Sequence, residues 1–367
     1  MSKKIALRKK GHLNISLREN VQGGISSGFE DVLLIHQALP ETNRSDIDLS
    51  TKMFGRSLDA PLVLESMTGG VPEAMKLNRL LAECAEKYGL AIGVGSQRAA
   101  IERPIFAKTY SVVRDVAPNT LVFANLGAPQ FASGYGIEEA SVAVDMIKAD
   151  ALVIHANPLQ ESIQIEGETS FKGALPKIEE VARALRVPVI IKETGSGMSR
   201  EVASQIEKVG AKGIDVAGAG GTSWAAVEYF RALQGGHRIQ QKLGKIFRNW
   251  GIPTCASLVE VSRSTCLTVI SSGGLRSGLD VAKSIALGAA AGGFALPVLK
   301  AAKRGSRYLN ELIEILIEEL RTTMFLVGAR NIDDLRNVPL VLTGNTAYWL
   351  NERGYSTRDF ANRRIPA

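Results

Sequence analysis

The sequence predicts an α/β protein built as a (β/α)8 TIM barrel, with an N-terminal extension and an insertion after strand six. A strand-like apolar run followed by a helix-like stretch occurs eight times along the chain. Each run is apolar on both faces, as is typical of a parallel strand covered on both sides. The stretches between them carry a one-sided apolar stripe, as in Leu279, Ala282, Ile285 and Ala289. Such alternation requires right-handed parallel crossovers, and eight units favour a closed barrel over an open doubly wound sheet.

The predicted strands follow one another at regular intervals. They are APLVLESMTGG (60–70), LAIGVGSQ (90–97), TLVFANLGA (120–128), ALVIHANPLQE, VPVIIKETGSG (187–197), GIDVAGAGGTSW (213–224), LTVISSGGLRSG (267–278) and AGGFALPVL. Predicted helices include 72–88, a segment near 102–117, another near 137–149, 254–265 and a long one near 306–327.

A single domain is predicted for residues 1–367. Residues 1–59 form an N-terminal arm with short strands, 60–330 the barrel, and 331–367 a C-terminal extension. The segments EDVLLIHQAL and KMFGRSL are expected to form a short strand pair. The basic insertion at 229–253 is a candidate lid, since long loops after barrel strands lie beside the mouth.

Composition limits the class of protein. The formal net charge is +7, but the basic residues form no aromatic-interleaved stripe, so a small anionic substrate is favoured over nucleic acid. The start lacks the apolar core of a secretion signal, and no apolar run is long enough to span a bilayer. Three cysteines without metal or redox spacing suit a reducing compartment. We therefore expect a cytoplasmic protein without a membrane partner.

Polar side chains lie where the predicted strands end, which in barrels is the active-site face. The run ALVI leads into His155, Asn157, Gln160 and Glu161. Lys192 lies among aliphatic residues, where it is costly unless it pairs with an anion or an electron-rich ring. The sequence therefore predicts a pocket lined by these groups.

Two regions predict anion binding. SSGGLRSG and AGGFALPV are glycine-rich ends of the last two strands, where barrels commonly bind phosphate. The N-terminus contains Arg8, Lys9, Lys10 and His12. This basic segment is either a solvated tail or a flexible arm that folds over an anionic substrate.

The segments RKKGH, SMTGG, GSQR, NLGA, HANPLQE, IKETGSGMS, DVAGAGGTSW and SSGGLRSG together resemble the type 2, flavin-dependent isopentenyl diphosphate isomerases, archaeal members in particular, over residues 5–350. The resemblance implies an FMN-containing barrel that interconverts isopentenyl and dimethylallyl diphosphate. It also implies Mg2+, flavin reduction by NADPH or NADH, and a homo-oligomer, often a tetramer.

The resemblance also implies roles for individual residues. The flavin would be held by Met67, Thr68, Gly69, Ser96, Asn125, Lys192 and Thr222, and its phosphate by Gly273, Gly274, Arg276, Ala295 and Leu296. The substrate would be held by Arg8, Lys9, His12, Ser96, Gln97, Arg98, Asn157 and Gln160. Glu161 would ligate Mg2+, while Gln160, His155 and Lys192 would serve catalysis.

Moving a double bond by one carbon requires that one proton be added and another removed. No Cys–Glu pair occurs in a plausible pocket motif, so the hypothesis is acid–base chemistry by reduced flavin without net redox change. Lys192 would favour the anionic reduced ring, and Gln160 could relay a proton. Trp224 and Glu228 could also reach the pocket.

Three alternatives are weighed against this hypothesis. A hydroxy-acid oxidase needs a histidine base after strand six or seven, whereas His237 lies within the insertion. A nucleotide dehydrogenase of the inosinate type needs a catalytic cysteine loop after strand six, which the sequence lacks. A barrel that only binds an anionic ligand would be colourless.

Overall fold

The structure, a computed structural model, describes residues 2–363, with side chains from Arg8 onward except that of Lys10. Eight parallel strands form a closed barrel in which each strand pairs with its neighbours in the sequence and the last pairs with the first. They are β1 (Leu62–Leu64), β2 (Ala91–Gly93), β3 (Leu121–Gly127), β4 (Ala151–His155), β5 (Val189–Lys192), β6 (Gly213–Asp215), β7 (Thr268–Ser271) and β8 (Ala291–Phe294). The predicted (β/α)8 class is confirmed.

Helices separate the strands and cover the outside of the barrel. The principal ones are Pro72–Lys87, Lys108–Val116, Ile137–Ile147, Ala174–Ala184, Arg200–Lys208, Thr254–Ser264, Gly278–Ala286, Leu296–Arg304 and Ser306–Leu326. The remaining helices are Ser2–Arg18, Arg98–Glu102, Ala128–Ala132, Pro158–Ile163, Trp224–Gly235, Arg238–Ile246, Ile332–Asn337, Gly344–Glu352 and Arg358–Ala361. Short 3-10 turns lie at Phe29–Asp31, Arg44–Asp46, Pro104–Phe106 and Phe247–Asn249.

The single helix predicted near 102–117 is wrong in its first half. The chain there forms a short helix, Arg98–Glu102, then a 3-10 turn, Pro104–Phe106, and only then the helix Lys108–Val116. Proline disfavours a helical residue before it and cannot donate its backbone nitrogen, so Pro104 breaks the helix.

The inside of the barrel consists of stacked layers of side chains. A buried apolar layer contains Val63, Phe123, Val153, Ile190 and Ile270. Because strand side chains alternate, the residues two positions later point inward as well, one layer closer to the carboxyl end. These positions hold Glu65, Gly93, Asn125, His155, Lys192, Asp215, Ser272 and Gly293. The interior thus changes from apolar to polar within one layer.

The opposite end of the barrel is closed by a hairpin with strands Thr51–Met53 and Arg56–Leu58. Its residues Met53 and Leu58 belong to the apolar cluster inside the barrel. The predicted pairing of EDVLLIHQAL with KMFGRSL is therefore wrong. KMFGRSL folds on itself, with Phe54 and Gly55 in the left-handed region, as two-residue turns require.

The first of those two segments pairs instead with the C-terminal part of the chain. Strand Val32–Leu34 is antiparallel to strand Leu340–Leu342, with Leu33 opposite Val341. The N-terminal and C-terminal extensions are therefore joined outside the barrel. Sequence patterns could not reveal this pair because its strands have three residues each and lie at opposite ends of the chain.

The N-terminal segment is a helix, Ser2–Arg18, rather than a solvated tail or a flexible arm. Ile15 is buried in a cluster with Val21, Ala226 and Val227. The insertion after β6 is also helical and supplies this packing surface through helix Trp224–Gly235. Within residues 2–363, no helix has the length and apolar character needed to cross a bilayer.

Candidate active site

A cavity of about 280 Å³ lies above the polar layer at the carboxyl ends of the strands. The N-terminal helix forms part of its wall through Leu13 and Ser16 as well as its basic residues. The cavity brings together most of the residues named from the sequence: Arg8, Lys9, His12, Met67, Thr68, Ser96, Arg98, Asn125, His155, Asn157, Gln160, Glu161, Lys192, Thr222, Gly273, Gly274, Arg276, Ala295 and Leu296.

Gln97 is not part of the cavity wall. Its side chain is fully buried, and its Nε2 donates to the carbonyl of Ala143 at 2.8 Å. Its Oε1 accepts from the backbone N–H of Asn125 at 2.9 Å. The expected contact between the Gln97 side chain and a diphosphate is thus corrected, because both ends of the amide are held by backbone groups.

Gly69 lies beside the cavity wall instead of within it. Its carbonyl accepts a hydrogen bond from Lys9 at 3.0 Å. A Cβ at this position would lie 1.9 Å from the ring of Tyr110, so only glycine lets the chain pass this close.

Lys192 forms the centre of a buried charged cluster. Its Nζ pairs with Asp215 and lies 3.1 Å from Oε2 of Glu65. Ser272 accepts from Lys192 at 3.1 Å and donates to Asp215 Oδ1 at 2.6 Å. Burial lowers the pKa of Lys192, but the two carboxylates outweigh burial and raise this pKa above its ordinary value. Lys192 is therefore a cation whose carboxyl partners belong to the protein.

Sequence reasoning missed both of these carboxylates. The signal was present, since Glu65 follows LVL in one strand and Asp215 lies inside GIDV. A carboxylate at an inward position of an apolar strand carries the same cost that singled out Lys192. Searching for opposite charges in the same barrel layer would have found the cluster.

His155 is neutral at physiological pH. Its Nδ1 donates to Oδ1 of Asn125 at 2.8 Å, which leaves Nε2 as an acceptor. Burial, together with the charges of Lys192 and Lys9, lowers the pKa of His155 to about 4. His155 can thus accept a proton or a hydrogen bond, but it is not a cationic acid near pH 7.

Lys9 fastens the N-terminal helix to the barrel. Its Nζ donates to the carbonyls of Gly69 and Ser96, at 3.0 and 2.8 Å, and to the hydroxyl of Tyr110 at 2.8 Å. None of these acceptors is charged. Burial, with the charge of Arg8, lowers the pKa of Lys9 to about 7. Lys9 would consequently gain a proton if an anion entered the cavity.

The same helix carries His12, whose Nε2 donates to Oε1 of Glu228 at 2.7 Å. Glu228 is 1 % exposed, also accepts from Arg231 at 3.0 Å, and does not line the cavity. Trp224 does line it. Glu228 therefore reaches the cavity only through His12.

Arg8 and Arg98 differ in how their charge is balanced. Arg98 is paired with Glu102 at 2.7 Å and with Glu168 at 2.5 Å. Arg8 has no ion-pair partner among residues whose side chains are described. Arg8 thus offers an unpaired cation to an anionic ligand.

Glu161 and Asn157 give the cavity a set of oxygen ligands. Glu161 lies in the helix Pro158–Ile163 directly after β4. Its Oε1 accepts from Asn157 at 2.9 Å, and its Oε2 accepts from the backbone N–H of Glu168 at 2.7 Å. The buried Oδ1 of Asn157 has no hydrogen-bond partner in the part of the chain that the structure describes. Residues 2–363 contain no group of three metal-binding side chains, so a hard cation here would depend on Glu161, water and its own ligand.

The loop after β7 forms a cradle for a phosphate. Gly273 and Gly274 have φ values of 99° and 90°, and a Cβ on Gly273 would lie 2.2 Å from the carbonyl of Gly218. Their N–H groups have no acceptor among the described residues, and Arg276 lies beside them in the cavity wall. Unpaired backbone N–H groups close to an arginine suit a phosphate group.

His237 does not contribute to the cavity. It precedes the helix Arg238–Ile246, is exposed, and lies outside the cavity wall. A hydroxy-acid oxidase base at this position is therefore not supported by the geometry.

The sequence model of the FMN-dependent dehydrogenase family matches residues 116–341. Among solved structures, a (putative) lactate oxidase of Pediococcus acidilactici covers 91% of this chain and 87% of its own, with a TM-score of 0.63 and 18% identity. A mandelate oxidase covers 92% of this chain and 98% of its own, with a TM-score of 0.60 and 19% identity. At this identity the two structures support the barrel fold alone.

Curated relatives are much closer in sequence. An isopentenyl-diphosphate delta-isomerase of Methanothermobacter thermautotrophicus is 47% identical over 98% of this chain and 99% of its own. The isomerase of Pyrococcus furiosus is 46% identical over 98% of this chain and 92% of its own. One of Methanosarcina acetivorans is 46% identical over 96% of each chain. The chain therefore belongs to the isopentenyl-diphosphate delta-isomerases, within the FMN-dependent dehydrogenase family of barrels.

Proposed function

We propose that this protein converts isopentenyl diphosphate to dimethylallyl diphosphate by proton addition and elimination, without net redox change, and uses reduced FMN and Mg2+. The observation that carries this proposal is one cavity whose wall contains both the phosphate cradle and the basic residues of the N-terminal helix. Two separate anion sites suit a cofactor phosphate and a substrate diphosphate. Relatives that match the whole chain bear the corresponding name.

The residues present fit FMN. Gly273, Gly274 and Arg276 would hold its phosphate, and Met67 and Thr68 would flank its ring. The orphaned Oε1 of Glu65 fits a ring with hydrogen-bonding groups, and other contacts would come from Ser96, Asn125, Lys192, Thr222, Ala295 and Leu296. When bound and reduced by NADPH, the flavin supplies an electron-rich surface and an exchangeable proton.

The substrate diphosphate would lie under the N-terminal helix. Arg8 provides an unpaired cation, and Lys9 becomes charged when an anion approaches. His12 is oriented by Glu228, so its ring is fixed toward the cavity. Glu161 would ligate Mg2+ together with diphosphate oxygens, as Mg2+ sites with few protein ligands commonly do.

Proton movement would depend on neutral groups. His155 accepts a hydrogen bond at Nε2 because its Nδ1 is committed to Asn125. Gln160 accepts from Asn157 at 3.0 Å and lines the cavity, so it would orient the reacting end of the substrate. Cys84 and Cys255 are buried outside the cavity wall, which argues against a cysteine acid.

A homo-oligomer, most simply a tetramer, forms part of the proposal. The insertion exposes Ile239, Ile246 and Trp250, which are 71, 63 and 63 % exposed. Large apolar side chains exposed within one segment are a feature of protein contact surfaces. Light scattering of the purified protein should give the mass of a tetramer, and a monomer would contradict this part.

The activity itself is tested by anaerobic turnover. The purified protein should be yellow and should convert isopentenyl diphosphate with only catalytic amounts of NADPH, because no electrons are consumed. Product formation and NADPH absorbance are followed together. Consumption of one NADPH per product would favour an oxidoreductase instead, and a colourless protein that retains the ligand would favour a binding role.

Binding of pyrophosphate should take up about one proton per site at pH 8, because an anion restores the lowered pKa of Lys9. Calorimetric titration of the protein in two buffers of different ionisation enthalpy measures this uptake. Lys9→Met should abolish it, whereas His12→Gln, which alters another polar residue of the same helix, should retain it. Equal heats in both buffers for the wild type would refute the role of Lys9.

A further inference from the structure

Glu65 is a buried carboxyl group at the cavity floor. It follows β1, its backbone N–H donates to the carbonyl of Phe294 at 3.0 Å, and its side chain is 5 % exposed. Gly293 on β8 makes room for it, because a Cβ there would lie 2.1 Å from Glu65 Oε1. The position is therefore shaped around this carboxyl.

The two oxygens of Glu65 have different surroundings. Oε2 pairs with Lys192 at 3.1 Å, while Oε1 is buried and has no hydrogen-bond partner among the described residues. Glu65 also lines the cavity. A buried oxygen without a partner is costly, so a ligand in the cavity is the natural source of the missing hydrogen bond.

The protonation state of Glu65 sets the net charge of the buried cluster of Glu65, Lys192 and Asp215 at the cavity floor. Lys192 and Asp215 cancel each other, and Asp215 is held further by Ser272 and by the N–H of Ala217 at 3.2 Å. The floor is thus neutral when Glu65 is protonated and carries one negative charge when Glu65 is ionised.

The groups that face Glu65 favour its neutral form. Burial and the charge of Asp215 raise the pKa of Glu65 to about 8, and Lys192 opposes them only in part. The neighbouring strand β8 contributes Gly293, and Ser272, after β7, donates its hydroxyl to Asp215. Glu193 directly follows β5, and its carboxylate accepts from the N–H groups of Thr194, Gly195 and Ser196 instead.

We infer that Glu65 is a flavin-contacting residue that holds a proton in the loaded enzyme, so that the Lys192 cluster stays neutral toward an anionic reduced ring. The inference rests on the proposed binding of FMN in this cavity. The Oε1 atom of Glu65, which lacks a partner among the described residues, would form a hydrogen bond with the flavin ring. Ionisation of Glu65 would place a second negative charge beside that of the reduced ring. The two charges would repel each other strongly, because the site is poorly solvated.

The affinity for reduced FMN tests the inference directly. It is measured anaerobically at pH 7, 8 and 9, with dithionite, for the wild type and for Glu65→Gln and Glu65→Leu. The wild type should bind about tenfold more weakly at pH 9 than at pH 7, because binding must then supply the proton. Glu65→Gln should match the wild type at pH 7 and show no loss at pH 9. Glu65→Leu, which lacks the hydrogen bond, should bind weakly throughout.

Glu193→Gln is the matched control, since it removes a second buried carboxyl near Lys192 that is not part of the cavity wall. It should keep the pH dependence of the wild type. If Glu65→Gln keeps that dependence, or Glu65→Leu binds as well as Glu65→Gln, the inference is wrong while FMN binding stands. If the wild type binds no FMN at any pH, the proposed function fails with it.

Discussion

Glu161→Gln is expected to lower Mg2+-dependent turnover by more than about 100-fold while FMN remains bound, since loss of a direct ligand costs more than loss of its supporting residues. Glu161 is a cavity carboxylate that accepts from Asn157, and it follows β4, whereas the phosphate cradle at Gly273 and Gly274 follows β7. Turnover is measured against Mg2+ concentration, and the flavin absorbance reports FMN binding.

Glu180→Gln serves as the control for this experiment. Glu180 is an exposed carboxylate on the helix Ala174–Ala184 and pairs with Lys177 at 2.7 Å, outside the cavity wall. Its replacement should leave the Mg2+ dependence unchanged. Normal Mg2+-dependent turnover in Glu161→Gln would show that the cation is held elsewhere.

Lys192→Met is expected to lower the free energy of unfolding by roughly 3–5 kcal/mol at neutral pH, because it leaves buried carboxylates without a cation. Asp215 is left as an unpaired charge, and Glu65 loses its pairing with Lys192. Without the charge of Lys192, which lowers the pKa of Glu65, burial would raise this pKa further above the value of about 8 that it has in the wild type. The loss should therefore grow as the pH rises above 8, where Glu65 ionises beside Lys192 but stays protonated in the variant.

Urea unfolding of the two proteins between pH 7 and pH 10 measures this effect. Adding Asp215→Asn to Lys192→Met should restore part of the stability, since one unpaired charge is then removed. A loss below about 1 kcal/mol, or one that does not vary with pH, would mean that water or other groups already solvate the cluster.

The barrel was predictable because each of its strands is covered on both sides. Short apolar runs such as ALVI and VIIK are typical of buried strands. The presence of eight such runs favoured a closed barrel. The extensions were less predictable. Strand Val32–Leu34 pairs with Leu340–Leu342, and three-residue strands carry too little pattern to indicate a distant partner.

Within the site, the sequence could place residues at strand ends but could not always tell which way they face. Ser96 and Gln97 were both assigned to the substrate, yet Ser96 lines the cavity and Gln97 is held by backbone groups behind it. Gln97 lies in the turn that starts the helix Arg98–Glu102, where the chain changes direction, so neighbouring side chains point to different sides.

The charged cluster illustrates a second limit. Lys192 was singled out as needing a partner, but the partners come from β1 and β6, and no local pattern joins three strands. Glu65 could be identified as a partner of Lys192 only from the closed barrel, which brings β1 and β5 to the same interior layer. Interactions across a barrel interior are long-range in sequence, so only the assembled layer reveals them.

The pairing of strand Val32–Leu34 with strand Leu340–Leu342 affects how the protein folds during synthesis. Residues 32–34 leave the ribosome long before residues 340–342, with which they pair. Until then, the apolar edge around Val32 lacks its final cover. The nascent barrel should accordingly need protection by chaperones late in translation, and truncated products should be prone to aggregate.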